Sequence, residues 1–183
     1  MDTRSEIIRI GDTLIREKGY NAFSFSDISK QLKIKNASIH YHFPTKTSLG
    51  VSIVRAHIQQ LEILKQKNSK KEPLDKLNSF LSIYSTAKSE NKICLVGSLS
   101  TDLYTVEEEV QLELKKLVNN ILQWVIEILD EGKSKKKFKF QISTRIKAIM
   151  IITNMLASLQ LTRLTNEKDF QQIKQTIIKD LTE

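Results

Sequence analysis

The chain contains two prolines, Pro44 and Pro73, so nothing after residue 73 is interrupted by that residue type. Proline removes a backbone donor and clashes with the preceding helical turn, and an interior glycine costs about 1 kcal/mol relative to alanine. With only five glycines besides, long stretches are free to wind as helices. No window sustains the period-two alternation of a half-buried strand, whereas apolar residues recur at helical spacing along most of the chain. That pattern predicts an all-α protein. At 183 residues and 40% apolar content, the chain can bury one substantial core, or one core with a small appended domain.

About nine helices can be placed from caps and periodicity. Thr3 and Glu6 read as a capping box for the first, and Gly19 as its stop. Ile7, Gly11, Leu14 and Ile15 make its buried stripe, with Gly11 admitting a close neighbour. A short second helix carries Phe25, Ile28 and Leu32 behind Ser24 as cap, and a short third runs from Asn36 to Phe43 and ends at Pro44. A long fourth starts near Thr45 and passes Leu49, Ile53, His57 and Leu61. Pro73 suits the first turn of the fifth. Residues 91–104 read as a short apolar helix that includes Cys94, Gly97 and Ser98, and a long one follows from Val106 to Glu131 with Gly132 as its stop. Residues 133–139 hold five lysines and no acid, the composition of a solvated loop, with a second nucleic-acid or membrane contact as the alternative. Two last helices span roughly 141–163 and 167–181.

The third helix is where the chemistry concentrates. Ile39 and Phe43 are four apart and face inward, which leaves Lys35, Asn36, Ala37, His40 and Tyr41 on the outward face. Such a surface suits a recognition helix, whose first turns enter the major groove of DNA while its flanks hold phosphates. Charge is distributed to match. Residues 24–46 carry Lys30, Lys33, Lys35 and Lys46 against Asp27 alone, whereas residues 101–113 carry Asp102, Glu107, Glu108, Glu109 and Glu113 and no base. The formal net charge of +8 suits a polyanionic partner.

The segment IHYHFPTKTSL, preceded by GYNAFSFSDIS, resembles the DNA-binding domain of the TetR family of transcriptional regulators. The resemblance covers about the first fifty residues. It implies a three-helix, helix-turn-helix DNA-binding domain over residues 1–47 and a larger helical effector-binding and dimerisation domain over residues 48–183. Two departures stand out. Lys33 occupies the turn where the family often has glycine, and His40 stands where tyrosine is more common, so no operator sequence carries over. Cys94-Leu-Val-Gly-Ser-Leu also resembles a segment of some members.

On this reading Ser24 caps the second helix and offers its hydroxyl or nearby amides to a phosphate. Tyr41, His42 and Lys46 hold backbone phosphates, and Thr45 caps the fourth helix while doing likewise. Asn36, Ala37 and His40 meet base edges, and Lys35 reaches a guanine or a phosphate. His42 has an equal alternative as an orienting residue beside Phe43. The expected partners are a palindromic duplex operator, a second copy of the chain joined through the last two helices, and an unknown small-molecule effector. The resemblance implies that effector binding moves the long fourth helix and releases the DNA.

Cys94, Phe80, Tyr84, Tyr104 and Trp124 are the candidates for an effector pocket or sensor. Aromatics at helical spacing also serve as plain core. Cys94 has two readings, a small buried hydrophobe or a thiol sensor of electrophiles and oxidants, which needs a lowered pKa. A regulator without effector is a further alternative, and a helical enzyme or lipid-binding protein with an incidentally basic surface is a rival from another class.

One cysteine allows no intrachain disulfide and offers no metal-ligand spacing. No glycine-rich phosphate loop or Ser/His/Asp arrangement supports catalysis or calls for a cofactor. The most apolar run, Ala148 to Leu161, includes Thr153, Asn154, Ser158 and Gln160 and is too short to span a bilayer. With no visible signal peptide, a cytoplasmic protein without membrane contact is the expectation.

Overall fold

The computed structural model describes residues 2–183, Glu167 through its backbone only. Nine α-helices and one 3-10 turn make up the regular structure of these residues, which include no strand. The chain divides into two compact units, one of residues 1–60 and 94–118, the other of residues 61–93 and 119–183.

The first unit holds α1 (Thr3–Lys18), a 3-10 turn (Tyr20–Ala22), α2 (Phe25–Leu32), α3 (Asn36–His42), most of α4 (Lys46–Asn68), α6 (Leu95–Thr101) and the start of α7 (Glu108–Ser134). The start of α1 corrects the expected Thr3–Glu6 box. Asp2 is the cap, its carboxylate accepting the Ser5 N–H at 2.7 Å, while Glu6 pairs with Arg9 one turn on. A carboxylate is the stronger acceptor at the positive end of a helix. Gly19, at φ 97°, ends the helix as expected. Gly11 lets α1 and α4 approach closely, since a Cβ there would lie 2.9 Å from Ile53 Cδ1 and 3.3 Å from Leu49 Cδ2. Ile7, Leu14, Ile15, Ile28, Ile39, Phe43, Leu49 and Ile53 form the core beneath.

Lys33 adopts the left-handed conformation, φ 55° and ψ 40°, with its N–H donating to Ser29 O. The turn is thus the kind glycine favours, and lysine holds it at a cost of about 1 kcal/mol. Cys94 lies at the N-cap of α6 rather than within a helix, and its carbonyl accepts the Ser98 N–H at 3.0 Å.

The second unit holds the end of α4, α5 (Pro73–Ser89), the rest of α7, α8 (Thr144–Leu161) and α9 (Glu167–Thr182). Pro73 occupies the first turn of α5 as expected, and its core gathers Leu77, Phe80, Leu81, Trp124, Val125, Ile151, Met155 and Phe170. Gly132 does not stop α7, which continues to Ser134. The left-handed residue after it is Lys136, at φ 56°. Gly132 serves clearance instead: a Cβ there would fall 1.9 Å from the ring of buried Phe138. No helix among the described residues is long and apolar enough to cross a membrane.

Candidate nucleic-acid interface

The α2–α3 pair is set by its caps and by two anchors. Ser24 donates both its N–H, at 2.7 Å, and its hydroxyl, at 2.8 Å, to the Asp27 carboxylate. Those hydrogen bonds hold the Asp27 carboxyl below its usual pKa. The hydroxyl proton is therefore engaged within the protein, although Ser24 is exposed. Ile39 and Phe43 are buried and pin α3, and Lys35, Asn36, Ala37, His40 and Tyr41 are all exposed. The outward face drawn from periodicity is the face the structure presents.

Within that face the aromatic groups are oriented rather than loose. The His40 ring meets the Phe25 ring edge-on at 4.9 Å, and its Nδ1 lies 3.4 Å from Pro44 O. This leaves Nε2 as the nitrogen free of that contact. Tyr41 is 84% exposed, so its hydroxyl can reach a phosphate without displacing an internal partner, and its ring stands edge-on to half-buried His42 at 5.2 Å. Thr3, Ile34, Ala37, Ser38, Tyr41 and His42 line a shallow open groove along this edge of α3. Thr45 caps α4, its Oγ1 accepting the Ser48 N–H at 3.1 Å.

Lys46 points elsewhere than its expected role requires. Its Nζ donates to Phe23 O at 2.6 Å and stands over two rings, 4.3 Å from the Phe23 centroid and 4.7 Å from that of Tyr20. Burial lowers the ammonium pKa, against the pull of the Glu107, Asp102 and Asp27 carboxylates. In this position Lys46 braces the entry to α2 from the start of α4, and its charge serves the protein's own backbone.

The neighbours of that brace are residues the sequence reading missed. Tyr20 N–H donates to Asp102 Oδ2 at 2.7 Å, and its hydroxyl to Glu107 Oε2 at 3.1 Å. Burial and the Glu107 charge push the phenol above its ordinary range. Asn21 Nδ2 donates to Thr105 Oγ1 at 2.6 Å, and buried Ser98 donates its hydroxyl to Ile15 O at 2.6 Å. The acidic run of 101–113 thus holds the segment that enters α2. Its one available signal was the placement of two acids far along the chain from an isolated Gly-Tyr.

The candidates for a pocket or sensor fall in both units, and three of them pack together. Phe80, Tyr84 and Trp124 are buried and packed edge-to-face, with Phe80 5.5 Å from Tyr84 and 6.0 Å from Trp124, as core aromatics are. Tyr104 is 97% exposed. Burial pushes the Cys94 thiol up, only partly offset by the N–H groups of Gly97 and Val96, the opposite of what a reactive thiolate needs. Among the described residues no group of three or more potential ligands could hold a metal ion.

Residues 7–52, which include all of α2 and α3, match the family of bacterial regulatory proteins named for TetR. The chain is 30% identical to a TetR transcriptional regulator from Legionella pneumophila of known structure. That match covers 99% of this chain and 98% of the other at a TM-score of 0.88. A TetR-family regulator from Agrobacterium tumefaciens is 24% identical with a TM-score of 0.91, over 98% and 97% of the two chains. The biofilm operon icaADBC negative transcriptional regulator IcaR of Staphylococcus aureus is 28% identical over 134 residues, 72% of each chain. With the fold shared from end to end and the family's motif standing on α2 and α3, this chain belongs to the TetR family of transcriptional regulators.

Proposed function

We propose that the protein is a homodimeric repressor that holds a palindromic operator through residues 1–47 and releases it when a small-molecule effector occupies the domain of residues 48–183. The observation that carries the DNA contact is the outward face of α3, where Lys35, Asn36, Ala37, His40 and Tyr41 are exposed over a buried Ile39 and Phe43. Asn36, Ala37 and His40 read base edges. Tyr41 and the N-terminal amides of the motif hold phosphates, with Lys35 at the boundary between the two roles. Repression is supported by the Staphylococcus relative, which is described as a negative regulator. Dimerisation is supported by Ile142, Ile146, Met150, Leu161 and Leu164, large apolar side chains left between 42% and 87% exposed on and beside α8. A second copy is the economical cover for such a face. A repressor of this kind works in the cytoplasm beside the DNA and has no catalytic step.

Release requires that the effector bind the DNA-free form more tightly, by roughly 1–3 kcal/mol in typical coupled systems. Selection of duplexes from a randomised pool by the full chain tests the reading. The enriched sequences should form an inverted repeat whose half-sites lie about 10 base pairs apart, or a multiple of that. Failure to enrich any sequence would overturn it, and sedimentation as a 21.1 kDa monomer at micromolar concentration would remove the dimer.

A further inference from the structure

Nearly all of the net positive charge comes from two segments of the second unit. Residues 65–72 and 131–139 carry nine lysines against Glu72 and Glu131, a net +7, where the whole chain has +8. The fold joins these segments. Lys135 Nζ lies 3.2 Å from Glu72 Oε1 and 2.9 Å from Glu131 Oε1, and Lys76 also pairs with Glu131. These pairs engage both acids. Lys67, Lys70, Lys71, Lys136 and Lys137 remain exposed, with no acidic partner among the described residues.

The backbone beneath the second segment is fixed. Phe138 is buried against Gly132, and the N–H groups of Lys137 and Phe138 both donate to Gly132 O, at 2.8 and 3.0 Å. Lys139 N–H donates to Leu181 O at 2.7 Å. Like charges held side by side on an anchored backbone repel one another, and a polyanion relieves that repulsion while releasing its own counterions. Every cation in these segments is lysine, a point charge suited to phosphate and without arginine's bidentate fork. A segment that inserts into a membrane interface turns apolar or aromatic side chains outward to enter it. Here Phe138 is buried, and the Phe140 ring lies 4.7 Å from Lys133 Nζ, which covers it.

We propose that this lysine cap is a second, sequence-independent contact for the phosphates of duplex DNA, carried by the unit that does not hold α2 and α3. The proposal takes from the repressor reading only the presence of a duplex, so the two contacts are tested apart. Three forms of the full chain serve: wild type, an α3 variant (Lys35→Glu with His40→Ala and Tyr41→Ala), and a cap variant (Lys70→Glu, Lys71→Glu, Lys136→Glu and Lys137→Glu). A milder cap variant with glutamine at the same positions covers the case in which the charge reversals prevent folding.

Binding to a random-sequence 40-base-pair duplex is measured by fluorescence anisotropy across a potassium chloride series, and binding to vesicles of phosphatidylcholine with phosphatidylglycerol by co-sedimentation. If the cap engages about four phosphates, the α3 variant keeps a residual affinity that falls by roughly two orders of magnitude between 50 and 200 mM salt. The cap variant keeps its sequence preference but loses that residual component, and the vesicles bind neither protein measurably. Absence of duplex binding by the α3 variant at 50 mM salt overturns the proposal, as does an unchanged random-duplex affinity in the cap variants. Cap-dependent capture by vesicles without duplex binding would identify the partner as a membrane and overturn it too. Loss of sequence preference in the wild type strikes at the repressor reading and leaves the cap contact standing.

Discussion

Arg55 and Glu113 meet at 2.9 Å although 58 positions separate them, and Lys116 reaches the same carboxylate oxygen at 3.0 Å. The hydrogen bond from Arg55, then that from Lys116, hold the Glu113 carboxyl below its usual pKa. Asp12 behaves alike for a different reason. Burial would raise its carboxyl, but the hydrogen bond and charge of His57, with Arg16 beside it, outweigh burial and lower it.

Acid should therefore unfold the first unit by a predictable route. A carboxyl whose folded pKa is depressed contributes stability above its unfolded value, near pH 4, and loses it as the pH falls through the folded value. Urea unfolding between pH 7 and pH 2.5 should show stability falling below about pH 4. In Glu113→Gln the acid limb should be shallower, with part of the stability already missing at pH 7. An acid limb of unchanged slope would remove Glu113 from the linkage.

Lys46→Ala should act on folding more than on the phosphate count. It removes the hydrogen bond to Phe23 O and the contact with two rings, at a cost of about 1–2 kcal/mol. Because the ammonium faces inward, the slope of log affinity against log salt should match the wild type. A slope flatter by about one unit per head would return Lys46 to the phosphates.

Lys33→Gly should raise stability by up to about 1 kcal/mol, since glycine adopts the left-handed turn without strain. Denaturant unfolding of the variant measures it directly. Equal or lower stability would mean that Lys33 recovers its backbone cost through contacts of its side chain.

Asn36→Ala and His40→Ala should each relax preference at particular base pairs by about 1–3 kcal/mol per lost contact, read by competition between mutated operators. Tyr41→Phe should instead weaken every duplex alike. If the preferred sequence survives both alanine variants, the base-reading face lies elsewhere.

Cys94→Ser should lower stability by about 1–2 kcal/mol while leaving release from DNA intact, because a hydroxyl replaces a packed thiol. The wild-type thiol should react with N-ethylmaleimide more slowly than a free thiol at the same pH, as its raised pKa requires. Fast alkylation with loss of DNA binding would identify it as a sensor.

What the sequence made legible was local. Ser24 as a cap, Pro73 in a first turn, Gly19 as a stop and the inward pair Ile39 and Phe43 are all decided within one or two helical turns. What it hid was non-local. Lys46 finds its acceptor 23 residues back, and Tyr20 finds Glu107 87 residues ahead, so neither shows in spacing. Gly132 carried the signature of a helix stop, yet its use depends on where the Phe138 ring returns. The lysines of 133–139 were visible as a run, whereas their union with those of 65–72 depends on Lys135 and Glu72 meeting in the fold.

The hydrogen bonds from Tyr20 to Asp102 and Glu107 have a consequence for the order in which a ribosome completes this molecule. The residues proposed to read DNA are all synthesised within the first third of the chain, but the acceptors that hold their scaffold emerge much later. Until residue 107 has cleared the exit tunnel, the nascent recognition helices lack the contacts that set the entry to α2. A rigid DNA-binding domain thus arrives late in translation, and a chain cut short before that point is left with the lettering of a regulator and no rigid frame behind it.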